Sequence, residues 1–387
     1  MNQSEFEIND LVSCFCEEMG EEMEAQIFQF RNNQTEAYIH FLHQDKRLDR
    51  WVLTSHLSKF DAEAHPNHQE ERVLTRYSRR LIGGSSGDED EQSAEIQHFE
   101  ELHKEVTKIR NIDTITIGKY SIRTWYFSPY PKPFGDLPHL YICEKCFQYF
   151  DTKENLDQHV AEKQEQFPPG REIYRKGNIS IFELQGRHQK FACQSLCLLA
   201  KLFLDHKTLY YDVEGFVFYV LCECDSEGAH AAAYYSRELA SEEGNILACI
   251  VVFPPYQKKG YGRLLISLSY ELAKRQKVSG GPERPLSDLG KIAFHSYSRD
   301  TIIELLRDYK SDIQSIDQIE RLTSIEKDDI IEILKEIQCV VFVKGEYELD
   351  INKEALAKAI SKLEASPQKP RIDPMNLIWF PEDDPPV

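Results

Sequence analysis

The sequence is short of positive charge. Lys and Arg number 46 against 65 Asp and Glu, which leaves a formal charge of −19 over 387 residues. A protein that reads DNA mainly through its phosphates needs a basic face, so direct DNA binding is not expected to dominate. An acidic surface instead attracts a cationic substrate such as a lysine-rich peptide. Long apolar runs are also missing. None approaches the roughly 18 residues of a membrane span, and the first 30 residues hold too many acids for a signal peptide. No membrane partner is expected, and a cytosolic or nuclear compartment follows. The ten cysteines there read as buried thiols, metal ligands or nucleophiles rather than disulfides. Cys14 and Cys16, like Cys222 and Cys224, stand two apart on expected strands and read as core thiols.

What is present centres on residues 245–277, NILACIVVFPPYQKKGYGRLLISLSYELAKRQK. The run ILACIVVF is apolar and rich in β-branched residues, which predicts a buried strand stopped at Pro254 and Pro255. Apolar Leu264, Leu265, Leu268 and Leu272 then follow at helical spacing. Between them lie Gln257, Lys258, Lys259, Gly260, Tyr261 and Gly262. A strand, a glycine turn and a helix leave amide N–H groups unpaired at the helix start, backed by the positive end of the dipole, where a phosphate can bind. The third glycine of the dinucleotide pattern and the Gly-Lys-Ser/Thr end of the Walker loop are both absent. The remaining Gln-x-x-Gly-x-Gly spacing resembles the pyrophosphate loop of acetyl-CoA-dependent N-acetyltransferases.

Other blocks stand around it in a fixed order: NQTEAYIHFLHQDKRLDRWV, YICEKCF, LCLLAKLFLDHKTLYYDVEGFVFY and PERPLSDLGK. On these blocks the chain resembles, over nearly its whole length, the MYST family of histone lysine acetyltransferases. The resemblance implies an α+β fold: a small N-terminal β-barrel of the chromo-barrel or tudor-knot kind, then an N-acetyltransferase-type mixed α/β catalytic domain. That domain would have a zinc-finger-like N-terminal part and a winged-helix-like C-terminal part. The expected divisions are a barrel over residues 5–60, a disordered linker over 61–95, where RRLIGGSSGDEDEQSAE can bury no core, and a catalytic domain over 96–387. Within the last, residues 141–170 are zinc-finger-like, 172–300 form the acetyl-CoA-binding core and 312–350 are winged-helix-like.

The site residues come from the same resemblance. It implies that Glu283, held in the Gly- and Pro-rich loop GGPERP, is the general base and that Cys249 lies in the active site. The backbone of Cys249, Ile250, Val251 and Val252 would bind the acetyl and pantetheine part of the cofactor. Gln257, Lys258, Lys259, Gly260, Tyr261, Gly262 and Arg263 would surround the pyrophosphate, with Ser287 and Ser296 touching coenzyme A. Lys207, in LDHK, would be autoacetylated. Tyr38, Phe41 and Trp51 fall where the barrel's methyl-lysine cage would be, although they equally suit the core of so small a barrel.

A lysine substrate is protonated at neutral pH, with a reference pKa near ~10.4, and has no lone pair with which to attack a thioester. A base must remove the proton, and main-chain donors near Ile250 would hold the oxyanion. Cys249 admits two roles, a nucleophile carrying the acetyl group or a shaper of the pocket during direct transfer.

One more absence concerns zinc. Cys143 and Cys146 have the two-residue gap of a zinc knuckle and His159 sits on an expected helix, but where the family places a fourth ligand, four residues on, this chain has Lys163. Three ligands with water or an outside ligand could hold the metal. Packing of Tyr141, Phe147, Phe150 and Leu156 could equally sustain the fold without one.

Further on, Thr323-x-x-Glu326 reads as a capping box opening a second helix, Lys344-Gly345 as a hairpin turn, and Trp379 as a docking residue. The partners implied are histone tails or the nucleosome and other subunits of a nuclear histone acetyltransferase complex. The rival readings are a catalytically weak chromatin reader or scaffold and an N-acetyltransferase for small amines or other proteins.

Overall fold

A computed structural model describes residues 6–59, 107–207, 210–309 and 312–381. The expected linker lies outside the described residues. The chain divides into two compact units. The first takes in residues up to Ile142 together with Tyr149–Leu156 and Cys197–Tyr210, and the second takes in Cys143–Gln148, Asp157–Leu196 and the chain from Tyr211 onward.

In the first unit, β1 (Leu11–Cys16), β2 (Glu21–Arg31), β3 (Glu36–Phe41), β4 (Arg50–Leu53) and β5 (Ser58–Lys59) form a five-stranded sheet in the order β4-β3-β2-β1-β5. Every second side chain points inward. Val12, Cys14 and Cys16 therefore meet Ala25, Ile27, Ala37, Ile39 and Phe41 in one buried cluster, which places the first cysteine pair in the core. The stretch ITIGKYSIR forms the expected hairpin, β6 (Thr114–Ile117) and β7 (Tyr120–Arg123). It is extended by β8 (His139–Ile142), parallel to β6, and by β9 (Tyr149–Phe150).

The second unit is built on a five-stranded antiparallel sheet ordered β10-β11-β12-β13-β14. Its strands are β10 (Arg171–Lys176), β11 (Ile179–Gln185), β12 (Phe216–Asp225), β13 (Gly228–Glu238) and β14 (Cys249–Val252). β12 is buried without a break from Phe216 to Cys222, as its apolar run demands of a central strand. Before β10, helix α1 (Lys153–Lys163) carries the chain from the first unit into the second, and α2 (Lys190–Lys201) carries it back.

Helix α3 (Tyr261–Gln276) packs on β13 and β14. It buries Leu264, Leu265, Leu268 and Leu272 along the stripe that the sequence spacing predicts, each contributing about 1.5–3 kcal/mol. Helices α4 (Asp288–Asp308), α5 (Ile316–Thr323) and α6 (Lys327–Glu336), the hairpin β15 (Val340–Val343) and β16 (Glu346–Leu349), and α7 (Lys353–Glu364) complete it.

Two expectations change. Thr323 ends α5 instead of capping α6: its hydroxyl donates to Ile319 O (2.8 Å) and accepts from Ile325 N (3.2 Å). Ser324 turns the chain in the left-handed region, so Glu326 stands before α6 without a side-chain cap. Helix α7 was not anticipated, although Asn352 caps it through the N–H groups of Glu354 and Ala355 in the ordinary way. Among the described residues no helix is long and apolar enough to cross a membrane.

Candidate active site and zinc knuckle

The site grows from the open edge of the second unit's sheet. β14 is the last strand, paired only with β13, with Cys249 opposite Ser236 and Val252 opposite Ala233. Phe253 N donates to Ala232 O (3.0 Å). Alternation in an antiparallel ladder then turns the amides of Cys249 and Val251 toward β13 and those of Ile250 and Val252 outward, to the side with no neighbouring strand. Ala248 N also reaches Ser236 O (2.7 Å), which crowds two residues against one just before the strand, the geometry of a bulge.

A second segment runs along that edge and then leaves it. Ile246 N donates to Gly281 O (3.0 Å) and Glu283 N donates to Leu247 O (2.8 Å), with Pro282 bridged in parallel to Leu247. The loop departs at Glu283, so the outer edge opens from Cys249 onward. The main chain of Glu283 is thereby fixed beside Leu247, two residues before Cys249. Glu283 and Cys249, 34 positions apart in the chain, are both half-buried at the start of this opening.

The far end of the opening is the start of α3. Gly260 is its N-cap, at φ +85°, and no side chain caps the helix. The N–H groups of Tyr261, Gly262 and Arg263 precede the first helical bond, Leu264 N to Gly260 O (3.1 Å), and have no partner within the helix. Glycine is needed at 260 twice over: for the left-handed backbone and because a Cβ would lie 2.7 Å from Pro370 Cγ. Gly260→Ala is expected to leave the fold intact and weaken acetyl-CoA binding about tenfold through strain in this loop. Isothermal titration of the cofactor checks it, and unchanged affinity would remove the loop from the site.

Charges surround the loop. Lys259 pairs with Glu223 (2.6 Å), which also accepts the Tyr261 hydroxyl. Gln257 Nε2 donates to Val252 O (3.0 Å), and Lys258 turns through φ +62°. Arg263 donates to Ser296 Oγ (3.3 Å) and Asp300 (2.8 Å), and Lys369 reaches the same two groups (3.0 and 2.8 Å). Burial of Arg263 draws its pKa down, and the Asp300 carboxylate opposes that. Glu223, Lys369 and Pro370 carried no signal in the sequence, since their place beside the loop is set by pairing and packing across the sheet. Ser287 is the N-cap of α4, accepting from Gly290 N at 3.1 Å.

Lys207, Tyr38, Phe41 and Trp51 belong to the first unit. Lys207, expected to be autoacetylated, is buried in the first unit at 5% exposure. Tyr38 and Phe41 are sealed in the first unit, at 2% and 0% exposure, with Phe41 in the barrel core. The Arg31 guanidinium covers the Trp51 ring at 4.3 Å, and Arg50 lies over Phe41 at 5.3 Å. A methyl-lysine cage from Tyr38, Phe41 and Trp51 is therefore not formed: two of the rings are core, and the chain's own cations occupy the faces of Phe41 and Trp51.

In the second unit, residues 143–148 make a tight knuckle, with Phe147 N donating to Cys143 O (2.8 Å) and Phe147 at φ +65°. The ligand atoms of Cys143, Cys146 and His159 all lie within 4.8 Å of one another, and Cys146 Sγ is 3.2 Å from His159 Nε2. Zinc bonds of about 2.0–2.3 Å at tetrahedral angles put donor atoms at such spacings, so the residues fit the metal. The Cys143 thiol is lowered to about 5, first by the hydrogen bond from Cys146, while Cys146 is raised by the same bond and by burial. The metal would cross-link the knuckle to α1. From the opposite side, Lys145 Nζ donates to Ala229 O (2.7 Å), and Glu144 pairs with His230 (3.0 Å).

An edge that splays beside the loop carrying a glutamate and ends at an uncapped helix start suits an acyl-CoA-dependent transferase. The comparisons agree. The family model described as MOZ/SAS family matches residues 167–377, that of the MYST family zinc finger domain 109–162, and that of the RNA binding activity-knot of a chromodomain 8–59. The putative MYST-like histone acetyltransferase 1 of Oryza sativa subsp. japonica is 41% identical over 354 residues, covering 89% of this chain and 77% of its own. Histone acetyltransferase of the MYST family 2 of Arabidopsis thaliana is 40% identical, covering 91% and 79%. Histone acetyltransferase ESA1 of Saccharomyces cerevisiae is 35% identical, covering 97% and 94%. The chain belongs to the MOZ/SAS, or MYST, family of acetyltransferases, whose acyl donor is acetyl-CoA.

Proposed function

We propose that this protein transfers acetyl from acetyl-CoA to lysine ε-amino groups of histone tails in nucleosomes, with Glu283 as general base. The reading is supported by one observation: the loop leaves the sheet edge at Glu283, whose main chain is fixed beside Leu247 at the start of the opening in which Ile250 and Val252 direct their amides outward. The pantetheine chain lies along that edge as an added strand would, and the pyrophosphate meets the N–H groups of residues 261–263 with Lys258 and Lys259 nearby. Ser287 and Ser296 close on the coenzyme from α4.

Glu283 takes the proton from the lysine ammonium. The neutral amine attacks the acetyl carbonyl, the Ile250 N–H donates to the developing oxyanion, and the C–S bond breaks as coenzyme A leaves as a thiolate, which takes up the second proton released by the attacking nitrogen. On this reading Cys249 shapes the pocket for direct transfer.

A cleft of about 610 Å³ is lined by Pro282 and Arg284, the chain neighbours of Glu283, with Leu286, Phe294, Asp329 and Ile333. It supports a seat for an extended basic peptide, with α6 as one wall. The net charge of −19 favours such a substrate. In keeping with its relatives' names, the protein works in the nucleus on chromatin, and further subunits of a complex supply targeting.

Purified protein with labelled acetyl-CoA and nucleosomes, free histones or small amines tests this. Label on histone lysines is expected, and Cys249→Ala is expected to keep at least about a tenth of the rate with no acetyl-enzyme accumulating. Transfer only to small amines, or none, would overturn the substrate. Complete loss in Cys249→Ala would overturn direct transfer.

A further inference from the structure

We infer that the zinc knuckle is completed by Glu165, giving a Cys143, Cys146, His159, Glu165 ligand set in place of the missing fourth ligand at position 163. A closed structural zinc site has four protein ligands, and the carboxylate oxygen is an accepted one. Three donors are already gathered. The next position on the same helix face, one turn beyond His159, is Lys163, whose ammonium has no lone pair to give.

The chain ends α1 there and turns back. Gln164 is left-handed, at φ +51°, and its N–H closes on Val160 O (3.0 Å). That reversal folds Glu165 back over the last turn, with its carboxylate 4.0 Å from Lys163 Nζ. The segment is fixed on its other side too. Gln166 O accepts the N–H of Ala229 at 2.8 Å, while the carbonyl of the same Ala229 accepts Lys145, which stands between the two knuckle cysteines. So close is the fit that a Cβ on Gly228 would lie 2.4 Å from Gln166 O. One residue of β13 thus holds both the knuckle and the stretch of chain that carries Glu165.

Neighbouring acids are engaged elsewhere: Glu144 with His230 and Lys145, Glu162 with Gln158. The Glu165 oxygens lie outside the 4.8 Å donor group, so the half-exposed side chain swings in when the metal binds. Two thiolates and a carboxylate around Zn²⁺ leave one negative charge, which the Lys163 ammonium offsets from beside the Glu165 carboxylate.

The test uses the full chain, zinc competition against a chelator and the Co²⁺-substituted spectrum. One zinc per chain is expected, with charge-transfer absorption of two thiolates. Glu165→Gln is expected to weaken zinc at least about tenfold. Lys163→Cys is expected to tighten it, add a third thiolate band and make Glu165→Gln silent. Absence of zinc from the wild type overturns the inference, as does equal affinity in Glu165→Gln. If Glu165→Gln does not fold, the double variant decides: zinc bound as tightly as in Lys163→Cys alone supports ligation, and weaker binding overturns it.

Discussion

Glu283→Gln is expected to lower kcat by roughly a hundred- to ten-thousandfold, the range that one general base supplies, while acetyl-CoA and peptide bind as before. Glutamine keeps the size and the main-chain bond from residue 283 to Leu247 O (2.8 Å), so the loop stays where it is. What it removes is the lone pair that takes the ammonium proton. Because the substrate's free amine fraction rises with pH, the defect should shrink as the assay pH approaches the lysine reference value of about 10.4. A structural role for Glu283 gives a loss that does not change with pH. Steady-state rates from pH 7 to pH 10 separate the two, and full activity at pH 7 would remove Glu283 from the chemistry.

Trp379→Ala is expected to destabilise the second unit by about 3–5 kcal/mol, as for other large core truncations. Trp379 is 0% exposed, and its Nε1 donates to the buried Glu183 carboxylate at 2.8 Å, which Arg171 also meets at 3.1 Å. Alanine removes the ring and one of the partners of a desolvated charge. Trp379→Phe keeps most of the ring and loses the donor, for about 1.5–3 kcal/mol. Urea unfolding followed by circular dichroism measures both. A loss under about 1 kcal/mol in Trp379→Ala would mean that the C-terminal segment does not stabilise the sheet. The same segment is held to α3 by Arg275, which donates to Trp379 O (2.7 Å), and carries Pro370 against Gly260, so the loss should carry over to cofactor affinity.

Much of this was legible in the sequence because it depends on local periodicity. Apolar alternation marks β1 to β4, the unbroken run 216–222 marks the central strand, and the spacing Leu264, Leu265, Leu268, Leu272 marks α3. The turn at Lys344-Gly345 and the docking of Trp379 came from the same reading. Thr323 misled because its hydroxyl had two local uses, and bonding back to Ile319 prevailed over capping forward. The barrel aromatics misled because ring type does not reveal which face is covered. Arg31 over Trp51 is a contact between side chains twenty positions apart.

The sequence by itself determined most of the elements and the types of residue available for chemistry, which follow from composition and spacing along the chain, while the family came from the resemblance of its ordered blocks. Only the tertiary structure decided that the edge of β14 opens where the 281–283 loop leaves it and that Lys369 and Glu223 flank the glycine loop before α3. Those outcomes depend on hydrogen bonds and ion pairs between residues far apart in the chain, and no local pattern encodes which distant partner a polar group will meet.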